Sequence, residues 1–142
     1  MYKGQVSIEM MMVIAFILIF FIPVMAFSYM KIIELNEDLS TIQAQVAVSR
    51  IANTANSLGY MGPGSSLIID IILPSNSNLK VQNVGSGSQV VLELELSKGK
   101  SEYVANSWFN INPFPLDLKS GVNYRLNITS TDPETVSVVL YN

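Results

Sequence analysis

The chain has 142 residues, a net charge of −3, 49% apolar residues and neither cysteine nor histidine. Those values exclude thiol nucleophiles, disulfides and the commonest zinc and copper ligands. A mildly acidic chain with no Lys/Arg cluster also offers phosphates no footprint, so nucleic acid is not an expected partner.

The first predicted element is the apolar run Met10 to Met30, 21 residues in which Ser28 is the one clearly polar member. A helix rises about 1.5 Å per residue, so this run reaches roughly 30 Å, the hydrocarbon thickness of a bilayer. Glu9 stands at its edge. A carboxylate is tolerated there beside an interface or a partner, but costs about 2.5 to 3.5 kcal/mol at the bilayer centre. A secretory signal peptide cleaved near Val24-Met25-Ala26 fits poorly, because such cores run to about 7–15 residues and this one is longer. A plain single-pass anchor needs only the apolar run, with Lys3 on the cytoplasmic side.

The residues before the run carry a more specific pattern: Lys3-Gly4-Gln5-Val6-Ser7-Ile8-Glu9. Lys3, Gly4, Gln5, Ser7 and Glu9 match a leader that reads basic residue, glycine, then Gln-x-Ser-x-Glu-x-x-x-Leu, with Val13 in place of the leucine. In this the chain resembles the archaeal class III signal peptide, the prepilin leader. The resemblance implies cleavage between Gly4 and Gln5 by a membrane prepilin peptidase, leaving residues 5–142 as an archaeal type IV pilin-like subunit. It further implies residence in the membrane as a precursor with a cytoplasmic N-terminus. Transfer by a pilus assembly platform into a helical homopolymer at the cell surface would follow, where the filament serves adhesion. By the same resemblance Glu9 meets the terminal amine of a neighbouring subunit. Archaellum leaders tend toward a glycine-rich stretch after the cut, which Val6-Ser7-Ile8-Glu9 lacks.

The spacing has its own physical sense. Gly4 lacks a Cβ, so extended or turned backbone can approach a protease there. Gln5 and Glu9 are four apart and share a face, and a carboxylate in the first turn of a helix starting at Gln5 favours the helix dipole. Pro23 removes one N–H and leaves the Ile19 carbonyl without its helical partner, which predicts a bend, read first as a harmless kink of the kind membrane helices tolerate and otherwise as a bend that lets subunits pack around an axis during assembly. Five of the seven methionines fall within Met10 to Met30. Their flexible side chains suit a surface that meets lipid first and protein later.

The helical pattern continues past the run. Ile32, Leu35, Leu39, Ile42, Val46, Ile51, Ala55 and Leu58 recur at steps of mostly three and four, with Glu34, Glu37, Asp38, Gln43, Gln45 and Arg50 largely off that stripe. One helix over residues 5–58 is expected, membrane-spanning and then amphipathic, about 80 Å long. The other arrangement is a break near Ser28 to Lys31 and a second helix. Gly59, Gly62, Pro63 and Gly64 then end it and open a linker over 59–66.

From residue 67 to 142 the period changes to two. Leu67 to Leu73, Val90 to Leu96, Val122 to Ile128 and Val136 to Leu140 alternate as strands, and Leu79 to Val84 and Tyr103 to Ile111 are weaker candidates. Turn chemistry separates them: Pro74 to Asn78, Gly85-Ser86-Gly87, Lys98-Gly99-Lys100, Pro113-Phe114-Pro115, Lys119-Ser120-Gly121 and Asp132-Pro133. The expected class is α+β: a long N-terminal α-helix packed on a C-terminal extracellular antiparallel β-sandwich or barrel-like domain, the lollipop shape of a pilin. The stripe from Leu35 to Leu58 should complete its core, and the first strand, with Ile68 and Ile72 on its second face, should be buried on both sides.

No catalytic constellation is visible. Serines lack a histidine to activate them, no glycine-rich loop opens a helix, and Glu93 with Glu95 reads as a solvated edge rather than a calcium pair. The chain is therefore expected to be no enzyme and to take no cofactor or metal. Trp108, Phe109 and Phe114 form an aromatic group beside two prolines, read as packing or, less often, as a sugar-stacking surface. Asn127-Ile128-Thr129 is the one Asn-x-Ser/Thr sequon. The strand alternation turns Asn127 away from Tyr124, Leu126 and Ile128, which predicts a solvent-facing N-glycosylation site.

Overall fold

The computed structural model describes residues 3–112, 118 and 120–141, with side chains from residue 7 onward. Pro113, Phe114 and Pro115 lie outside the described residues. The chain divides into two compact units, residues Met1–Asp38 and Leu39–Asn142.

Helix α1, Lys3–Met61, is continuous in secondary structure, through Pro23 and through Ser28 to Lys31. No helix break occurs near the end of the apolar run. The helix extends the expected 5–58 by a few residues at each end, and its end is built by the glycines. The Gly62 N–H, at φ 92°, bonds the Leu58 carbonyl at 3.1 Å. The Ser65 hydroxyl donates to the carbonyls of Gly62 at 2.8 Å and Leu58 at 3.1 Å. Carbonyls that the helix leaves without partners are thereby satisfied where the chain leaves the helix axis.

Among the described residues of the second unit, seven strands form two sheets: β1 (Ser66–Ile72), β2 (Ser77–Val84), β3 (Gly87–Leu96), β4 (Gly99–Ser107), β5 (Asn110–Ile111), β6 (Asn123–Asp132) and β7 (Thr135–Leu140). β2, β3 and β4 make an antiparallel meander, and the other sheet runs β1-β6-β7-β5. The weaker candidate Leu79 to Val84 is a strand, within β2, whereas Tyr103 to Ile111 is divided by a bend at Trp108 and Phe109 into the end of β4 and the short β5. The β domain is not wholly antiparallel, because β5 pairs parallel with β7. After β4 the chain passes from the three-stranded sheet into the four-stranded one and enters beside β7 in the same direction.

Helix residues Ala44, Val48, Ile51, Ala55 and Leu58 are buried, and they join Ile71, Leu126, Ile128 and Val136 of one sheet and Val90, Leu92 and Leu94 of the other in a single core. Alternation along each strand supplies the inward residues, and the alanines let the helix backbone come close. Ile51, Ala55 and Leu58 of the expected stripe are buried as expected, but its earlier members are not. Leu39, Ile42 and Val46 are 56%, 57% and 46% exposed. At 3.6 residues per turn they fall on the side of the helix opposite Ala44, Val48 and Ile51. The side that faces the sheets carries Ala44, Ala47, Ala52 and Ala55 together with Val48 and Ile51.

A second correction concerns β1. It is an edge strand, paired on one side with β6, and Ile68 and Ile72 on its outer face are exposed. Among the described residues of β1, Ile71 is in the core and Ile69 packs against it.

Candidate functional site

The described part of the leader motif lies on the first turns of α1. The backbone of Lys3, Gly4 and Gln5 is helical, and their side chains lie outside the described residues. The Gly4–Gln5 bond thus sits in the first helical turn rather than in extended backbone ahead of it. Helix ends fray, so this is the turn most readily opened. With the helix starting at Lys3, no acidic residue falls in its first turn, and Glu9 lies beyond it. The dipole argument for Glu9 therefore applies only to a helix that starts at Gln5.

Ser7, Glu9 and Val13 are exposed, Glu9 and Val13 being four apart and so on one face. From Met10 to Met30 every large apolar side chain is exposed, on all sides of the helix. Phe16 and Phe20 touch, with ring centroids 4.8 Å apart and planes at 52°. An 18-residue window of this helix reaches a mean hydropathy of 2.8, and none of it is buried within the chain. The helix is long and apolar enough to cross a membrane. Charge returns just beyond the run, where the Lys31 ammonium pairs with the Glu34 carboxylate at 2.6 Å.

Chemically this arrangement is an uncovered apolar surface with one carboxylate, Glu9, at its edge. It holds no group of three or more acidic, histidine or cysteine side chains suited to a metal, a statement that covers the described residues. Elsewhere, Glu93 and Glu95 are engaged by cations, Lys80 with Glu93 and Lys100 with Glu95 at 2.8 Å. The Lys100 hydrogen bond, and then its charge, hold the Glu95 carboxyl below its ordinary range. On the outer face of the other sheet Arg125 Nε donates to Asp70 Oδ1 at 2.9 Å.

Asn127 lies in the second unit, apart from the leader motif, on β6. It faces away from Leu126 and Ile128 as expected, but it is not at a sheet edge and not freely exposed. β6 pairs on both sides, so Asn127 sits between Ile68 of β1 and Val139 of β7. Its Oδ1 is buried and has no hydrogen-bond partner among the described residues. The sequon shows residue type alone; register decides who stands beside it.

The aromatic group is divided. Phe109 packs edge-on against Tyr60, centroids 5.2 Å apart at 87°, and lies so close over Gly59 that a Cβ there would fall 2.3 Å from its ring. Trp108 is 75% exposed. The sequence reading missed what separates them, Asn56 on the helix, because its partners are more than fifty positions away. Comparison of the chain with protein-family models, with curated proteins and with solved structures finds no match.

Proposed function

We propose that this chain is a structural subunit of an archaeal type IV pilus-like surface filament. A prepilin peptidase cuts between Gly4 and Gln5, and the exposed apolar helix then leaves the membrane, through a pilus assembly platform, to pack against copies of itself. Lys3, Gly4, Gln5, Ser7 and Glu9 present the cleavage motif, Glu9 and Val13 lie on the assembling face, and Pro23 shapes the helix. The observation that carries this reading is uncovered apolar surface on the helix in each of the two units. It runs from Met10 to Met30 and persists as Leu39, Ile42 and Val46, beyond the length that lipid covers. A bilayer needs only the first of these; a bundle of like helices uses both. Once out of lipid, such a surface must be covered by protein, and a head-to-tail contact whose rotation does not close gives an open helical polymer.

The β domain then lies outside the cell, where the filament serves adhesion, and Asn127 is its N-glycosylation site. The residue is half-buried, with its Oδ1 turned out of solvent, and the glycan attaches through Nδ2. The second reading, a non-polymerising membrane-anchored surface domain, draws on the same apolar run, for which lipid alone suffices.

N-terminal sequencing of filaments sheared from the native host decides between them. The expected main band starts at Gln5. A surface protein that retains Met1 to Gly4 and forms no filaments overturns the filament reading.

A further inference from the structure

Trp108 stands on a fixed mount. Its backbone N–H donates to Asn56 Oδ1 at 2.8 Å. The residue before it, Ser107, is buried and donates to the same oxygen at 3.1 Å, and the residue after it, Phe109, is held over Gly59. Yet the indole between these anchors is 75% exposed. A large aromatic surface held rigidly in water is an unusual expense of apolar area unless something covers it.

Beside the indole opens a cleft of about 290 Å3, lined by Val84, Ser86, Gly87, Gln89 and Asn106 together with the buried Ser88 and Ser107. The two buried hydroxyls are already used: Ser88 Oγ accepts from the Ile111 N–H at 2.7 Å and donates to Asn83, and Ser107 Oγ accepts from the Phe109 N–H at 3.2 Å. The side chains of Ser86, Gln89 and Asn106 make no hydrogen bond within the described residues. Gln89 and Asn106 are cross-strand partners on β3 and β4, so their amides stand side by side. An amide both donates and accepts, which matches a hydroxyl, and the lining carries no charge. An ionic ligand would find no counter-ion there, and a purely apolar one would leave the amides unpaired.

We propose that this cleft binds a neutral hexopyranose, whose C–H face stacks on the Trp108 indole while its hydroxyls bond the amides of Gln89 and Asn106. The inference does not depend on filament assembly. The test uses the full chain in a zwitterionic detergent whose head group carries no sugar. Trp108 is the single tryptophan, so its emission reports directly on the cleft. Glucose, galactose, mannose and N-acetylglucosamine are each titrated to about 50 mM. At least one should give saturable binding with a Kd on the order of 1–10 mM. Asn106→Ala should weaken that binding about tenfold. Trp108→Ala should abolish it, as read by saturation-transfer NMR on the sugar protons. Val104→Thr, an exposed β4 position outside the cleft, should leave it unchanged. No saturation with any of the four sugars overturns the proposal, as does binding that survives in Trp108→Ala. Glucuronate binding more tightly than glucose would overturn the claim that the uncharged lining selects the ligand.

Discussion

The side-chain oxygen of Asn56 receives the backbone N–H of Trp108 at 2.8 Å, a bond between residues 52 positions apart that fastens the last turns of α1 to the chain leaving β4. It also receives the Ser107 hydroxyl at 3.1 Å. Asn56→Ala strips both donors of their acceptor, at a cost of about 2 kcal/mol. Asn56→Asp keeps the oxygen and should retain most of the stability at neutral pH. Denaturant unfolding of the two variants checks this, and equal losses would show that the acceptor is not what matters.

Gly59 is needed for space. In a helix interior alanine is favoured over glycine by about 1 kcal/mol, but here the added methyl meets the Phe109 ring at 2.3 Å. The clash should prevail, so that Gly59→Ala destabilises by about 1–3 kcal/mol. Combining it with Phe109→Leu should recover part of the loss, with a coupling of about 0.5 kcal/mol or more in a double-mutant cycle.

Ile42→Glu and Val46→Glu separate folding from assembly. Both side chains are exposed, so the unfolding free energy should change little, within about 0.5 kcal/mol. Filament yield from the native host should collapse, since each places a carboxylate on the apolar stripe. Glu9→Leu should likewise insert in the membrane but impair processing or assembly. Normal filaments from all three would leave the anchor reading in place.

Asn127 predicts two results in different hosts. Without a glycan, its buried Oδ1 is an unmet acceptor between Ile68 and Val139, so Asn127→Val should stabilise the protein made in a bacterium by about 1 kcal/mol. In the native host, mass spectrometry of the peptide spanning Asn127 should show a glycan. An unmodified mass in assembled filaments rejects the modification.

The pH dependence of stability should be shallow. Glu95 is held below the ordinary carboxylate value of 4.5, through its hydrogen bond to Lys100 and then through charge. Its contribution is present above that value and is lost as pH falls through the lower folded one. Lys100 is raised above 10.5 by the same pair, so its contribution is present below that value and fades as pH rises through the higher folded one. Both groups are exposed, and the chain has no histidine, so the thermal midpoint should be nearly flat from about pH 5 to 9. A steep transition within that window would point to a buried titrating group.

The sequence by itself determined the long helix, its end at the glycines and the change to strands. Each follows from local pattern: an apolar run of membrane length, residues that accept positive φ, and period-two alternation. It also placed Asn127 on the face away from Leu126, because alternation along one strand is a local property. Only the tertiary structure decided which side of the helix is buried. Large apolar residues lie on both sides of residues 39–58, and the choice fell to the alanine side because small side chains let the backbone approach the sheets. Tertiary structure likewise made β1 an edge, put Ile68 and Val139 beside Asn127, and exposed Trp108 while seating Phe109. Those outcomes depend on strand order and on hydrogen bonds between residues far apart in the chain, and no periodicity in the sequence records either.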